Sequence, residues 1–146
     1  MQLKTHIMAA AALCALMGAA QAQTVRVANQ GDAGSMDPHS LNESLQLDFT
    51  ANIYDALVAR YKDLSLVPSL ATAWKQTSPT VWRFELRKGV QFHDGTPFTA
   101  EDVVFSFARA AGEGSDMKAN LNDVKEVRKI NDHAIEIETN KPFPIL

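Results

Sequence analysis

The sequence is poor in cysteine: Cys14 is the only one among its 146 residues. Cys14 lies in an apolar run near the N-terminus that we predict to be removed, so the mature chain should contain no cysteine. Such a chain has no disulfides, no thiol nucleophile and no cysteine metal ligands, and it is compatible with an oxidising compartment. Because Leu13, rather than a small residue, precedes Cys14, we do not predict a lipid anchor.

The sequence also lacks an excess of positive charge. It has 14 basic against 17 acidic side chains, and the basic residues are dispersed with acids between them. No electrostatic stripe for phosphate groups can form, which argues against nucleic acid as a partner. Internal repeats and low-complexity segments are absent as well, as are the G-x-S-x-G and H-E-x-x-H motifs of hydrolases.

The one long apolar run, residues 7–20, has the features of an export signal. It follows Lys4, it is short for a membrane span, and it ends at Ala20-Gln21-Ala22, a small-x-small cleavage site. An uncleaved anchor is the alternative, but the polar Gln21 and Gln23 directly after the run favour cleavage. We therefore predict a signal peptide over residues 1–22, cleaved after Ala22, and an exported chain that is not an integral membrane protein.

The most informative segment runs from Val81 to Phe107. Between Val81 and Arg87, apolar and charged side chains alternate with the period of two that is typical of a strand with one buried face. Gly89 predicts a turn, and Val90 to Phe92 repeat the alternation as a second short strand. Asp94-Gly95 then predicts a turn with positive φ at the glycine.

A capped helix is predicted directly after this turn. The Thr99 hydroxyl can accept from the free amides of the first turn, and Asp102 is placed three residues on, as in a capping box. Val103, Val104 and Phe107 give the helix an apolar stripe. The aromatic residues of this half of the chain are predicted to lie in the core rather than to form a stacking platform. They are Trp74, Trp82, Phe84, Phe92, Phe105 and Phe107.

The first part of the chain predicts a strand, a loop and a helix. Val25 and Val27 mark the strand, and residues 30–42 form a loop rich in Gly, Ser, Asp and Pro. A helix begins near Glu43, and apolar residues recur along it at spacings of three and four, which predicts a buried face. That face consists of Leu45, Phe49, Ile53, Ala56 and Leu57.

The remaining segments predict short elements. Residues 64–70 form a hairpin or an extended link, and residues 112–115, rich in glycine, end the capped helix. A helical turn is predicted around Met117 to Leu121. Two strands then follow, joined by a turn at Asn131-Asp132. His133, beside that turn, is predicted to be exposed.

Two pairs of residues could carry acid–base chemistry, Asp37 with His39 and His93 with Asp94. A secreted hydrolase that uses all four is one hypothesis, and it requires them to converge on one pocket. A structural role is favoured for both pairs, because each aspartate lies at a turn where its carboxylate can bond the backbone. We therefore predict no enzyme activity, no catalytic residue, no metal site and no cofactor.

The sequence of residues 86–107 is LRKGVQFHDGTPFTAEDVVFSF. It resembles a characteristic segment of solute-binding protein family 5, the extracytoplasmic peptide, oligopeptide, nickel and glycoside receptors of ABC transporters. The resemblance extends through Ser35 to His39, Tyr54 to Val58 and Leu66 to Trp74, in the same order and spacing. It covers nearly all of the chain after the predicted signal peptide.

The resemblance implies an α/β fold of the periplasmic-binding-protein type, class II, in its peptide-binding form. Residues 23–60 would hold the start of lobe I, with its first strand, loop and helix. Residues 61–146 would hold most of the extra subdomain of lobe I. Members of the family are several times longer, so we expect the chain to be truncated at its C-terminus and to lack the second lobe.

The resemblance also implies a function. The chain would belong to a monomeric periplasmic receptor that delivers a peptide, or a related solute such as a nickel chelate or an oligosaccharide, to the permease subunits of an ABC importer. Ligand contacts are expected from the loop and helix start after the first strand, where small and amide side chains leave backbone amides free. The same residue types are also ordinary turn and cap formers. The expected contacts are Gly34, Ser35, Asn42, Ser44 and Leu47.

Overall fold

The computed structural model describes residues 24, 26 and 28–144. The predicted signal peptide and the predicted strand at Val25 and Val27 lie outside the described residues. All that follows concerns the unit that begins at Gly31. None of its described helices has the length and apolar character needed to cross a membrane.

Strands and helices are mixed along the chain. The elements, in chain order, are α1 (Ser44–Thr50), β1 (Val58–Arg60), β2 (Leu66–Pro68), β3 (Ala71–Ser78), β4 (Val81–Leu86), α2 (Ala100–Ala110), a 3₁₀ helix (Lys118–Leu121), β5 (Val124–Asn131) and β6 (Ala134–Thr139). A four-stranded antiparallel sheet has the order β3-β4-β6-β5, and β1 pairs with β2 in a separate hairpin.

The predicted alternation in β4 is confirmed. Phe84 and Leu86 are buried, and across the ladder Phe84 pairs with Ile135 of the central strand β6. Helix α2 covers this face of the sheet and contributes the buried Val103 to the same core. Burial of this apolar face is the main source of stability available to the unit.

The other face of the sheet is charged. Arg128 on β5 donates to Glu138 at 2.8 Å and to Glu136 at 3.2 Å on the neighbouring strand β6, and to Glu126 at 3.1 Å on β5 itself. The two outer strands, β3 and β5, are each interrupted by two register shifts. These irregular strands form the open edges of the sheet.

The turn and cap before α2 form as predicted. Gly95 has a φ of 86°, and the Asp94 carboxylate accepts from the Thr96 amide at 2.9 Å. Thr99 is the N-cap and accepts from the Glu101 amide, while Asp102 accepts from the Thr99 amide at 2.7 Å, which completes the capping box. Local side-chain chemistry therefore fixes where α2 begins.

Four predictions in the second half of the chain are wrong. Residues 90–92 form only an isolated bridge, between Gln91 and Pro97, and Phe92 is 46% exposed. Phe105 is 69% exposed because it lies two positions, about 200°, from the buried Val103 around the helix. His133 is half-buried rather than exposed, and its buried Nδ1 atom has no hydrogen-bond partner among the residues that the structure describes.

The predicted buried face of the first helix is only partly correct. Helix α1 ends at Thr50, and its buried side chains are Gln46 and Thr50, while Phe49 and Ile53 are exposed. The Thr50 hydroxyl donates to the Gln46 carbonyl at 2.9 Å, so two polar residues one turn apart face the protein. Ala56 is exposed as well, whereas Leu45 and Leu57 are half-buried and Leu57 packs against the core.

Most of the short elements are close to their predictions. The link at residues 64–70 contains β2 and completes the hairpin with β1, and the helical turn is the 3₁₀ helix. The last two strands and their turn are confirmed as β5 and β6. Strand β3 was not predicted, since its burial does not alternate regularly.

Candidate functional site

The loop that precedes α1 is organised around Asp37. The Asp37 carboxylate accepts from the His39 amide at 2.9 Å, which confirms the predicted Asx turn. The Asp37 amide donates to the Ser35 hydroxyl at 3.0 Å, and the Ser40 hydroxyl donates to the Asp37 carbonyl at 2.9 Å. Residues 35–40 are thus held in one compact turn by their own polar groups.

Arg109, in the last turn of α2, binds this loop from outside. Its two terminal nitrogens donate to the two carboxylate oxygens of Asp37, with 2.8 Å between Nη1 and Oδ1. Nη1 also lies 2.8 Å from Nδ1 of His39. A bidentate pair of this kind fixes orientation as well as distance. No pattern in the sequence predicted it, because the two partners lie 72 positions apart.

The Arg109 guanidinium sets the ionisation of the loop. Its hydrogen bonds hold the pKa of Asp37 far below the usual range of a carboxyl, and Asp37 in turn raises the pKa of Arg109. Partial burial, followed by the nearby Arg109 charge, lowers the pKa of His39, although Asp37 opposes this shift. The cluster therefore favours a neutral His39 and an ionised Asp37.

We expect acid to weaken the fold slightly through this cluster in two pH windows, because solvent screens the exposed Arg109–Asp37 pair. A lowered pKa means that the unfolded chain binds the proton first, so each group's contribution is complete above its ordinary pKa and is lost as pH falls. The contribution of neutral His39 should begin to fall below the ordinary pKa of 6.5, and that of ionised Asp37 below 3.8, and each should be lost once pH is below the lowered pKa of the folded state. Urea unfolding at a series of pH values measures both. His39→Gln should reduce the pH dependence in the upper window. Asp37→Asn should reduce it in the lower window, where other carboxyls with lowered pKa values also contribute. Unchanged slopes in both variants would contradict the assignment.

Other elements bind the remaining carbonyls of the loop. The side chain of the buried Gln46 donates to the Ser35 carbonyl, and the Tyr54 hydroxyl donates to the Met36 carbonyl at 2.9 Å. The His39 carbonyl accepts from the Asp116 amide at 3.0 Å. The loop is therefore attached to α1, to the segment after α1 and to the segment after α2.

The structure places the five predicted contact residues in two groups. Gly34 and Ser35 are used by the loop itself: a Cβ at Gly34 would lie 2.9 Å from Leu41 Cδ1, and Ser35 bonds Asp37. Asn42, Ser44 and Leu47 are exposed, and within the described residues no hydrogen bond engages the Asn42 or Ser44 side chain. Helix α1 has only seven residues, so few peptide dipoles add up at its N-terminus, and we place no anion site there.

The two acid–base pairs do not form one site. The Asp94 carboxylate is used within its own turn, where bonds from Thr96 lower the pKa of Asp94, and His93 is exposed. His93 and Asp94 precede the first turn of α2, whereas the Asp37–His39 pair contacts its last turn, and α2 is about 16 Å long. Within residues 24, 26 and 28–144, no hydrogen bond joins the pairs and no metal-binding cluster of three His, Cys, Asp or Glu occurs.

A groove of about 470 Å³ opens beside α2, and the sequence did not predict it. Its lining is mainly apolar and includes Phe84, Val103 and Ile137 from the core, with Asp55 and Phe92 also contributing. It shares no lining residue with the loop at residues 34–47. The groove is therefore a recess in the core of the sheet unit rather than part of the predicted contact loop.

Comparison with known proteins decides the family. The model of the bacterial extracellular solute-binding proteins, family 5 Middle, matches residues 65–146, more than half of the chain. The chain belongs to this family. Family 5 consists of binding proteins rather than enzymes, which confirms the prediction that the chain is not an enzyme.

Individual relatives of family 5 agree with this assignment. The periplasmic oligopeptide-binding protein OppA of Escherichia coli is 26% identical over 144 residues, covering 86% of this chain and 26% of OppA. The solved structure of DppA from Helicobacter pylori, in complex with the peptide STSA, is 30% identical with a TM-score of 0.64, covering 76% of this chain and 26% of DppA.

A third relative binds a different solute. The structure of NikZ from Campylobacter jejuni, in complex with Ni(L-His), is 26% identical with a TM-score of 0.69, covering 78% of this chain and 23% of NikZ. The chain thus spans about a quarter of the length of these relatives. Its mixed α/β structure corresponds to part of the class II periplasmic-binding-protein fold.

Proposed function

We propose that this chain is part of a periplasmic receptor that captures peptides and delivers them to the permease subunits of an ABC importer. Family membership supports a solute-binding role, and OppA and DppA support peptide as the solute class. A nickel chelate, as bound by NikZ, is the second candidate. OppA is named as a periplasmic protein, and export by the predicted signal peptide would bring this chain to the periplasm as well.

In this proposal residues 23–60 form the start of lobe I and residues 61–146 its extra subdomain. Solute contacts come from the exposed Asn42, Ser44 and Leu47, while Gly34 and Ser35 shape the loop beside them and contribute backbone groups. The observation that carries the assignment is the contrast between a fixed loop and free side chains beside it. Gln46, Tyr54 and Asp116 donate hydrogen bonds to three carbonyls of residues 35–40, while the contact side chains named above are exposed. A fixed frame with free polar and apolar side chains is what recognition of a small solute requires.

Thermal-shift measurements on the mature product of the gene that encodes this chain test the proposal. A ligand that binds only the folded state stabilises it, by about 2.7 kcal/mol at 100 times its dissociation constant. The tetrapeptide Ser-Thr-Ser-Ala should raise the melting temperature, whereas an equimolar mixture of its free amino acids should not. A shift only with nickel–histidine would move the solute to the chelate class, and no shift with either would contradict the proposed solute role.

A further inference from the structure

We propose that Arg109 is a positioning residue for solute binding, which acts through Asp37 and His39 to hold the contact loop in place. The inference rests on the proposed function, and it assigns a role to a residue of α2 that lies outside the expected set of solute contacts. Arg109 would not touch the solute. It would fix the segment from which Asn42, Ser44 and Leu47 project.

The anchor for this contact is rigid. Helix α2 begins at a capping box, and its buried side includes Val103 and Ala110, so Arg109 projects from an element that is held at both ends. The two parallel hydrogen bonds to Asp37 transfer that rigidity to the loop, since they restrict rotation as well as translation. The third contact, to His39 Nδ1 at 2.8 Å, holds the loop on the other side of Pro38.

A relay of hydrogen bonds connects the turn at Asp37 to α1. Ser35 bonds the Asp37 amide through its hydroxyl and accepts from Gln46 through its carbonyl. Gln46 is 1% exposed, and it is the immediate neighbour of Leu47 on α1. A displacement of Asp37 would therefore pass through Ser35 and Gln46 to the residues that are proposed to meet the solute.

Because the Arg109–Asp37 ion pair is exposed, its loss should affect the position of the loop more than the stability of the fold. The side chains of Arg109 and Asp37 are 44% and 35% exposed. Exposed ion pairs contribute little to folding, because water screens the charges and the side chains lose conformational freedom. The bonds of Gln46, Tyr54 and Asp116 to the loop do not involve Arg109 and would remain without it. Loss of Arg109 should therefore loosen the loop without unfolding the chain.

The test compares Arg109→Gln and Arg109→Lys with Arg128→Gln in the mature gene product. Lysine keeps the charge but cannot form the bidentate fork. Arg128 is the matched control, because it also bonds carboxylates in an exposed setting, on the charged face of the sheet. Three quantities are measured: affinity for Ser-Thr-Ser-Ala by calorimetry, melting temperature, and amide hydrogen exchange of residues 35–50.

We expect both Arg109 variants to weaken peptide binding by roughly 5- to 100-fold, the usual range for coupling between separate sites. Exchange should accelerate in residues 35–50 only, with a melting temperature close to that of Arg128→Gln. Unchanged affinity and exchange would overturn the proposal. So would faster exchange throughout α2 and the sheet with a matching fall in melting temperature, since that pattern indicates a purely structural role.

The same measurements keep the two proposals apart. If the unmodified protein binds neither Ser-Thr-Ser-Ala nor nickel–histidine, the proposed solute role fails, while exchange in residues 35–50 still shows whether Arg109 holds the loop. If the unmodified protein binds peptide and Arg109→Lys binds it equally well with unchanged exchange, the positioning role fails and the solute role stands.

Discussion

Replacing Ile135 by alanine should lower the free energy of unfolding by about 2–5 kcal/mol. Ile135 is fully buried on the central strand β6, where it pairs with Phe84 across the ladder to β4. Truncation removes apolar contact area and leaves a cavity that the flanking strands cannot close, because their hydrogen bonds fix their spacing. Urea unfolding followed by circular dichroism measures the change, provided that the slope with denaturant stays constant.

Ile130→Ala is the matched control for this substitution. Ile130 has the same side chain and lies on the neighbouring strand β5, but it is 43% exposed. Its truncation should change the free energy of unfolding by about 0.5 kcal/mol or less, as is usual at surface positions. Equal losses in the two variants would mean that the face between the sheet and α2 is not the core of this unit.

Residues 23–146, expressed alone, should bind Ser-Thr-Ser-Ala at least about 100-fold more weakly than DppA from Helicobacter pylori, a loss of about 2.7 kcal/mol. The chain spans about a quarter of the length of its relatives, so most of the surface that could surround a solute in them has no counterpart here. Contacts from a second lobe, and the ordering that closure provides, would be missing.

Calorimetric titration of both proteins under the same conditions measures the difference. Circular dichroism and hydrogen exchange of β4 and β6 should first show that the isolated residues are folded, so that weak binding is not the result of unfolding. Affinity equal to that of DppA would contradict the expectation. It would place a complete peptide site within this chain.

Elements that depend on neighbouring residues could be predicted from the sequence. The capping box at Thr99, the Asp94-Gly95 turn and the alternation of β4 each rest on side chains within a few positions of one another. Such patterns act locally, whatever the rest of the chain does. The hairpin of β5 and β6 could be predicted for the same reason.

Features that depend on distant partners could not be predicted. The apolar spacing predicted a helix that extends to Leu57, but α1 ends at Thr50, and the side that faces the loop at residues 35–40 is occupied by Gln46, which bonds Ser35. The Arg109–Asp37 pair joins residues 72 positions apart, and no local pattern encodes such a contact. Family resemblance predicted which loop contacts the solute, whereas the hydrogen bonds that hold this loop became evident only in the structure.

The irregular outer strands of the sheet have a consequence for the folding of the chain after the export proposed above. An open sheet edge presents unpaired amides and carbonyls to which a strand from another chain can add. In β3 and β5 the register shifts break that row of groups, and Lys75, Lys125 and Lys129 add charge along it. The two edges therefore offer a poor template for a strand of another chain, which would limit pairing between newly exported chains if the proposed export takes place.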